Sequence, residues 1–168
     1  MAPKRRPTYN ISHVTDFNLS SAARINQNMK DFCATQQLFL DNKPEFLDIL
    51  GFKQSSYNDE TMLFSCIFEP SEALTHSNGS IVQGGFIAGM LDSAMAQYIL
   101  HLHEFRVNPL TLNIDVTYLL PCRPAEVEVT ARILKAGKSI VFTSAELAQD
   151  GNLVATASAT NRLVPFSR

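Results

Sequence analysis

Gln83-Gly84-Gly85-Phe86-Ile87-Ala88-Gly89-Met90-Leu91-Asp92 sets a glycine pair at the head of an apolar run that ends on one carboxylate. Ala94, Met95, Tyr98, Ile99 and Leu102 continue the pattern begun by Phe86, Ile87, Met90 and Leu91. The recurrence predicts a helix over about 84–104 with a wide apolar stripe, so other structure must wrap it. Glycines at a helix start leave backbone N–H groups open to an incoming oxygen. A lone acid in an apolar helix is costly unless it is paired, hydrogen-bonded or employed. The run reads as a site that polarises a carbonyl and attacks it with activated water.

Beyond the helix the period changes to two. Pro109 ends the connection, and Leu110, Leu112, Ile114, Val116 and Tyr118 then alternate with Thr111, Asn113, Asp115 and Thr117. This predicts a strand that Pro121 and Pro124 break. Val127, Val129, Ala131 and Ile133 alternate in the next one. Ala136-Gly137-Lys138 makes a hairpin turn, and Asp150-Gly151 separates strands over about 139–148 and 152–164. Upstream, the pattern turns helical from Ser20 or Ser21. A short helix follows at 44–50, with Pro44 in its first turn and Gly51 as its stop. Strands over about 51–57 and 61–69 flank an Asn58-Asp59 turn, and residues 70–83 read as a polar loop. The order is helix, two strands, one long apolar helix and a four-stranded meander. The simplest architecture is α+β, a curled antiparallel sheet around one helix.

The chain has 168 residues, 18% of them charged, and a formal net charge of −2. These values fit one domain (21–168, behind a flexible tail at 1–20) and give no basis for bulk nucleic-acid binding. Lys4, Arg5 and Arg6 form a short basic cluster that no apolar stretch follows. It reads as a solvated tail rather than a secretory signal. No segment reaches the ~18 to 20 apolar residues of a membrane span. Cys33, Cys66 and Cys122 have no metal spacing and read as reduced thiols, which suggests the cytoplasm. His101 and His103 stand two apart on a helix, so they read as surface histidines rather than a metal pair. There is no Gly-x-Ser-x-Gly, no phosphate loop around Gly137-Lys138-Ser139, and no dinucleotide fingerprint at Gly84-Gly85.

The element order and the glycine motif together resemble the hotdog-fold acyl-CoA thioesterases, in particular their PaaI-like branch. The resemblance covers about residues 44–164. It rests on Asn78-Gly79, Val82-Gln83-Gly84-Gly85, Leu91-Asp92, the strand 111–118 and the segment from Arg132 to Ser139. It implies a hotdog fold with an N-terminal helical extension, and an acyl-CoA substrate cleaved to CoA and free acid without metal or cofactor. It also implies a homodimer or a dimer of dimers, with active sites between subunits. Gln83 and Gly84 of one subunit would then face Asp92 of the other. In this reading Gly84 N–H binds the thioester carbonyl, and Gly85 lines the same turn. Asp92 acts as general base or as nucleophile.

Two features depart from the family pattern. Gln83 stands where the family carries His; it can orient a carbonyl or water but cannot carry a proton at neutral pH. Asn78 lies one residue nearer to Gly84 than usual. Asn78 or Ser77 fills the polar position, Asn78 being preferred, although an Asn-Gly turn explains the pair equally well. Thr111 falls where relatives carry a Ser or Thr near the reacting water, or is an exposed strand Thr. Arg132, Lys135 and Lys138 meet the CoA phosphates or are solvated charges. Ala88, Gly89 and Ala96 leave room near Asp92 or permit close packing. Phe86, Met90 and Met95 read as core rather than acyl tunnel. The N-terminal helix covers the acyl end or packs on the sheet. Two rival readings are a hotdog dehydratase, for which no His is placed, and a non-catalytic acyl-CoA binding module.

Overall fold

The computed structural model describes residues 43–76 and 78–166, together with Phe32, Gln36, Gln37, Phe39, Leu40 and Asp41. The expected tail at 1–20, the helix start near Ser20, Cys33 and Ser77 lie outside the described residues. A short helix, Phe46–Ile49, leads into β1 (Phe52–Asn58) and β2 (Leu63–Phe68). A 3-10 turn (Glu72–Leu74) and two short strands, β3 (Thr75–His76) and β4 (Ile81–Val82), precede the central helix Gly84–Leu102. Four long strands follow: β5 (Val107–Tyr118), β6 (Val127–Ala136), β7 (Ile140–Gln149) and β8 (Asn152–Pro165). They join β1 and β2 in a six-stranded antiparallel sheet of order β1-β2-β6-β7-β8-β5. The sheet holds the helix against β2, β5, β6, β7 and β8. This is the hotdog fold.

The helix is buried because its sequence leaves little polar surface. Met90, Leu91, Ala94, Met95 and Ile99 are fully enclosed, and Ile87 and Tyr98 nearly so. Met90 and Met95 are therefore core, as expected, and Phe86 packs beside the same cluster, partly buried. Gly89 lies under Leu50, whose methyls would meet an added Cβ at 3.6 Å, so this glycine admits close packing. The helix ends at Leu102, two residues earlier than its pattern suggested. Glu104 and Phe105 take left-handed backbone (φ 50 and 57), and Phe105 N–H closes the end on the Leu100 carbonyl at 2.9 Å. The six described residues between 32 and 41 are helical, and buried Phe39 meets Phe52 edge to face, with ring centroids 5.7 Å apart. The described part of this extension thus packs on the core.

Four expectations need correction. The strands after the helix are not a four-stranded meander: β6, β7 and β8 follow one another, but β5 pairs with β8 at the far edge and not with β6. Residues 70–83 are not simply a loop: β3 and β4 form a hairpin whose tip carries Asn78 and Gly79 at φ 59 and 83. Two successive left-handed residues are what a tight hairpin favours, and Asn-Gly supplies them. Pro109 does not precede β5 but lies inside it, opposite Leu163. Proline is tolerated there because β5 is an edge strand, with one ladder side unpaired. Finally, Leu110 and Leu112 do not share the inward face of Ile114 and Val116. A bulge between Thr111 and Asn113 shifts the register, leaving Leu110 and Leu112 45% and 58% exposed.

Gly51 shows how tightly β1 enters the sheet. Its φ is 79, its carbonyl accepts the Glu69 N–H at 2.8 Å, and a Cβ there would lie 2.1 Å from the Glu69 carbonyl oxygen. Gly51→Ala combines a left-handed alanine with a backbone clash. It should lower the free energy of unfolding by about 2 kcal/mol or more, read by chemical denaturation. Unchanged stability would show that the β1 entry is not held this way.

Candidate active site

Gln83 caps the central helix. Its backbone is extended (φ −67, ψ 136), and its Oε1 accepts the Gly85 N–H at 2.7 Å. The Phe86 and Ile87 N–H groups donate to the Gln83 carbonyl at 3.0 and 3.4 Å. The Gly84 N–H is the remaining amide of this turn and has no acceptor among the described residues. It sits at the positive end of the helix dipole, which favours an incoming oxygen.

Tyr118, at the end of β5, pins the same turn from the other side. Its hydroxyl donates to the Gly84 carbonyl at 2.7 Å, and an added Cβ on Gly84 would stand 3.1 Å from the Tyr118 ring. An open groove of about 310 Å³ starts here, lined by Val82, Gly84, Ile87, Tyr118, Leu120 and Cys122. Its mostly apolar wall suits a hydrophobic chain lying beside a polarised carbonyl.

Asp92 lies two turns further along the helix and is partly buried. Thr111 Oγ1 donates to its Oδ1 at 2.8 Å. Burial pushes the carboxyl above the usual aspartate range, and the Thr111 bond partly offsets that. The β5 bulge makes this contact. Strict alternation would put Thr111 and Ile114 on opposite faces, yet both turn toward the helix because Leu112 is the extra residue. Thr111 is exposed as a residue, but its hydroxyl is engaged.

Behind Thr111 the chain of polar groups continues into the core. Thr111 Oγ1 lies 3.2 Å from Asn161 Oδ1, and Asn161 Nδ2 donates to Thr143 Oγ1 at 3.3 Å. Asn161 and Thr143 are fully buried. Neither was singled out in the sequence, nor was Tyr118 as a partner of Gly84. A signal for Asn161 existed: it follows Ala155, Ala157 and Ala159 in the inward phase of β8, where an apolar residue is expected.

The other predicted residues fall elsewhere. Asn78 is exposed at the β3–β4 tip, where its geometry is accounted for by the turn. Arg132 is exposed on β6, with a 3.7 Å ion pair to Glu146. Lys135 and Lys138 are exposed near the β6–β7 turn. Sheet register places this turn beside the catalytic candidates: Val141 pairs with Asn161 and Asn161 with Thr111, while Leu163 N–H reaches back to the Ser139 carbonyl at 2.9 Å. His101 is not a surface residue. It is half-buried against Phe32, Tyr57 and Phe64, and burial lowers its pKa. No cluster among the described residues has the makings of a metal site. Cys66 and Cys122 are free, buried thiols. No helix among the described residues is long and apolar enough to cross a membrane.

Comparison with known proteins points the same way. A family model described as the acyl-CoA thioesterase N-terminal domain matches residues 73–162. The human protein acyl-coenzyme A thioesterase 13 is 29% identical over 101 residues, covering 58% of this chain and 71% of its own. A phenylacetic acid degradation-related protein from Ralstonia eutropha superposes with a TM-score of 0.66 at 29% identity, over 72% of this chain and 90% of that one. The Escherichia coli PaaI protein shares the fold, with a TM-score of 0.66 at 15% identity over 79% of this chain and 94% of its own. A match over more than half of the sequence, on a sheet curled around a helix with this glycine start, identifies the family: the chain belongs to the hotdog-fold acyl-CoA thioesterases.

Proposed function

We propose that this protein hydrolyses acyl-CoA thioesters at a site shared by two copies of the chain. Gly84 N–H of one copy polarises the carbonyl, and Asp92 of the other activates the attacking water. One observation carries the reading: a free amide at the helix start and a desolvated carboxylate on the same helix cannot serve one carbonyl within one copy. Eight residues separate them, about 12 Å of helical rise. The N–H points off the helix end, so an oxygen bound there lies on the far side from Asp92. A second copy running antiparallel brings the two together, and the open edge of β5, which carries Thr111, supports pairing there.

The chemistry divides between these groups. The Gly84 N–H and the helix dipole stabilise the oxyanion as the tetrahedral intermediate forms, typically worth about 3 to 4 kcal/mol of barrier. Asp92 takes a proton from water as the water oxygen bonds the acyl carbon. Its raised pKa makes it a stronger base than an exposed aspartate. Collapse of the intermediate expels CoA thiolate, which takes up the proton held by Asp92, and leaves the free acid. Gln83 Oε1 is committed to the cap, so its side-chain amide protons are what it can offer the carbonyl. Lys135 and Lys138, with Arg132 further along β6, provide a basic rim for the CoA phosphates, and Asn78 sits on the hairpin before the helix. No metal or cofactor enters this scheme.

Asp92→Asn should lower kcat at least about a hundredfold in a thiol-release assay over short, long and aryl acyl-CoAs. The same substitution should stabilise the fold at neutral pH. A carboxyl whose folded pKa is raised contributes stability below the unfolded value, near pH 4, and loses it as pH rises through the folded value. The gain in melting temperature should therefore shrink as pH falls from 7 toward about 4. Full activity in the variant would overturn the mechanism.

Gly84→Pro tests the amide. Proline suits the first helical position, and the extended backbone of Gln83 suits the residue before it. The helix should persist, with Tyr118 yielding slightly, while kcat falls about 10²- to 10³-fold. Gly84→Ala keeps the N–H and should lose far less. Equal losses in the two variants would assign the effect to crowding against Tyr118.

A further inference from the structure

We propose that Asn161 is a positioning residue for Asp92: its amide oxygen accepts the Thr111 hydroxyl proton whenever Asp92 is protonated, letting Thr111 reverse its hydrogen bond. The inference rests on the reading of Asp92 as a general base. Thr111 has one hydroxyl proton and two acceptors in reach, Asp92 Oδ1 at 2.8 Å and Asn161 Oδ1 at 3.2 Å. It cannot satisfy both at full strength. While Asp92 is ionised, the charged and nearer oxygen takes the proton. Once Asp92 has taken a proton from water, its own O–H must find an acceptor. Thr111 Oγ1 supplies one, provided that its proton rotates elsewhere. Asn161 Oδ1 is that place. The water proton moves to Asp92, the hydroxyl turns, and no further bond breaks.

The core fixes which end of the Asn161 amide faces Thr111. Thr143 Oγ1 directs its single proton toward Met95 Sδ at 3.1 Å and the Ala159 carbonyl at 3.4 Å. It is therefore an acceptor for Asn161 Nδ2, at 3.3 Å. The nitrogen faces Thr143 and the oxygen faces Thr111. Burying a side-chain amide this completely is unfavourable unless its hydrogen bonds are met, and here both ends have partners. A leucine could fill the same volume in a purely structural sheet.

The consequence has a sign. Asn161 stabilises the protonated form of Asp92, whereas Thr111 donates to the ionised form. Removing each should move the Asp92 titration in opposite directions. Burial raises the Asp92 carboxyl and the Thr111 bond lowers it, so Asn161 acts on that titration through Thr111. The groups in this row from β5, β8 and β7 are Thr111, Asn161 and Thr143, none of which titrates, and Asp92 itself is the acid on the helix.

The experiment is a carboxyl carbon NMR titration of Asp92 in the full-length protein, with pH profiles of kcat alongside. Asn161→Leu, which fills the volume, and Asn161→Ala, which leaves it open, should both shift the titration to lower pH. Both should lower kcat about tenfold, the worth of one buried hydrogen bond, with KM unchanged. Thr111→Val should shift the titration to higher pH. In the Thr111→Val background, Asn161→Leu should add no further shift. An upward or absent shift in both Asn161 variants would overturn the proposal, because loss of mere packing would displace Thr111 and act like Thr111→Val. The titration reads the coupling even without turnover. If Asp92→Asn keeps full activity while the opposite shifts appear, the base assignment fails and the hydrogen-bond coupling stands.

Discussion

A helix enclosed on most of its faces has few places to put polar groups, and that constraint organises the whole molecule. Sheet strands cover the apolar positions from Ile87 to Ile99. The helix's polar groups are few: Ser93, Gln97 and His101, the amide-bearing start at Gly84, and the single carboxylate at Asp92. The start stays open because Gln83 and Tyr118 satisfy the neighbouring groups and leave one N–H over. The carboxylate is tolerated because a strand brings it a hydroxyl. The same enclosure raises its pKa and so makes it basic.

Much of this was legible in the sequence because it depends on periodicity and turn chemistry. The helix showed in the recurrence of Phe86, Ile87, Met90 and Leu91, and the meander in strict alternation from Val127 onward. Asp150-Gly151 announced a tight hairpin and forms one, with both residues left-handed. The spacing from Gly85 to Asp92 carried the family resemblance, and the family match agrees with it.

What escaped was tertiary. The bulge at Leu112 depends on pairing with β8, and no local pattern records it. Simple alternation therefore assigned Leu110 and Leu112 to the wrong face and gave no reason for Thr111 to meet Asp92. Pro109 looked like the end of the connection before β5 because edge position is a property of the assembled sheet. The β3–β4 hairpin is too short for its period to register. Asn161 was masked by its alanine neighbours, although its phase in β8 marks it as inward. His101 was read from its distance to His103, while its surroundings are the aromatic rings of Tyr57 and Phe64.

The division of the site between two copies is tested most directly by subunit complementation. Asp92→Asn and Gly84→Pro chains, each inactive alone, are unfolded together, refolded in equal amounts and assayed for thioester hydrolysis. Random pairing makes half of the dimers mixed, and each mixed dimer holds one intact composite site of two. The account predicts recovery to about one quarter of parental activity, the oxyanion donor and the base each coming from a different chain. Mixtures that form but stay as inactive as the separate variants would contradict it.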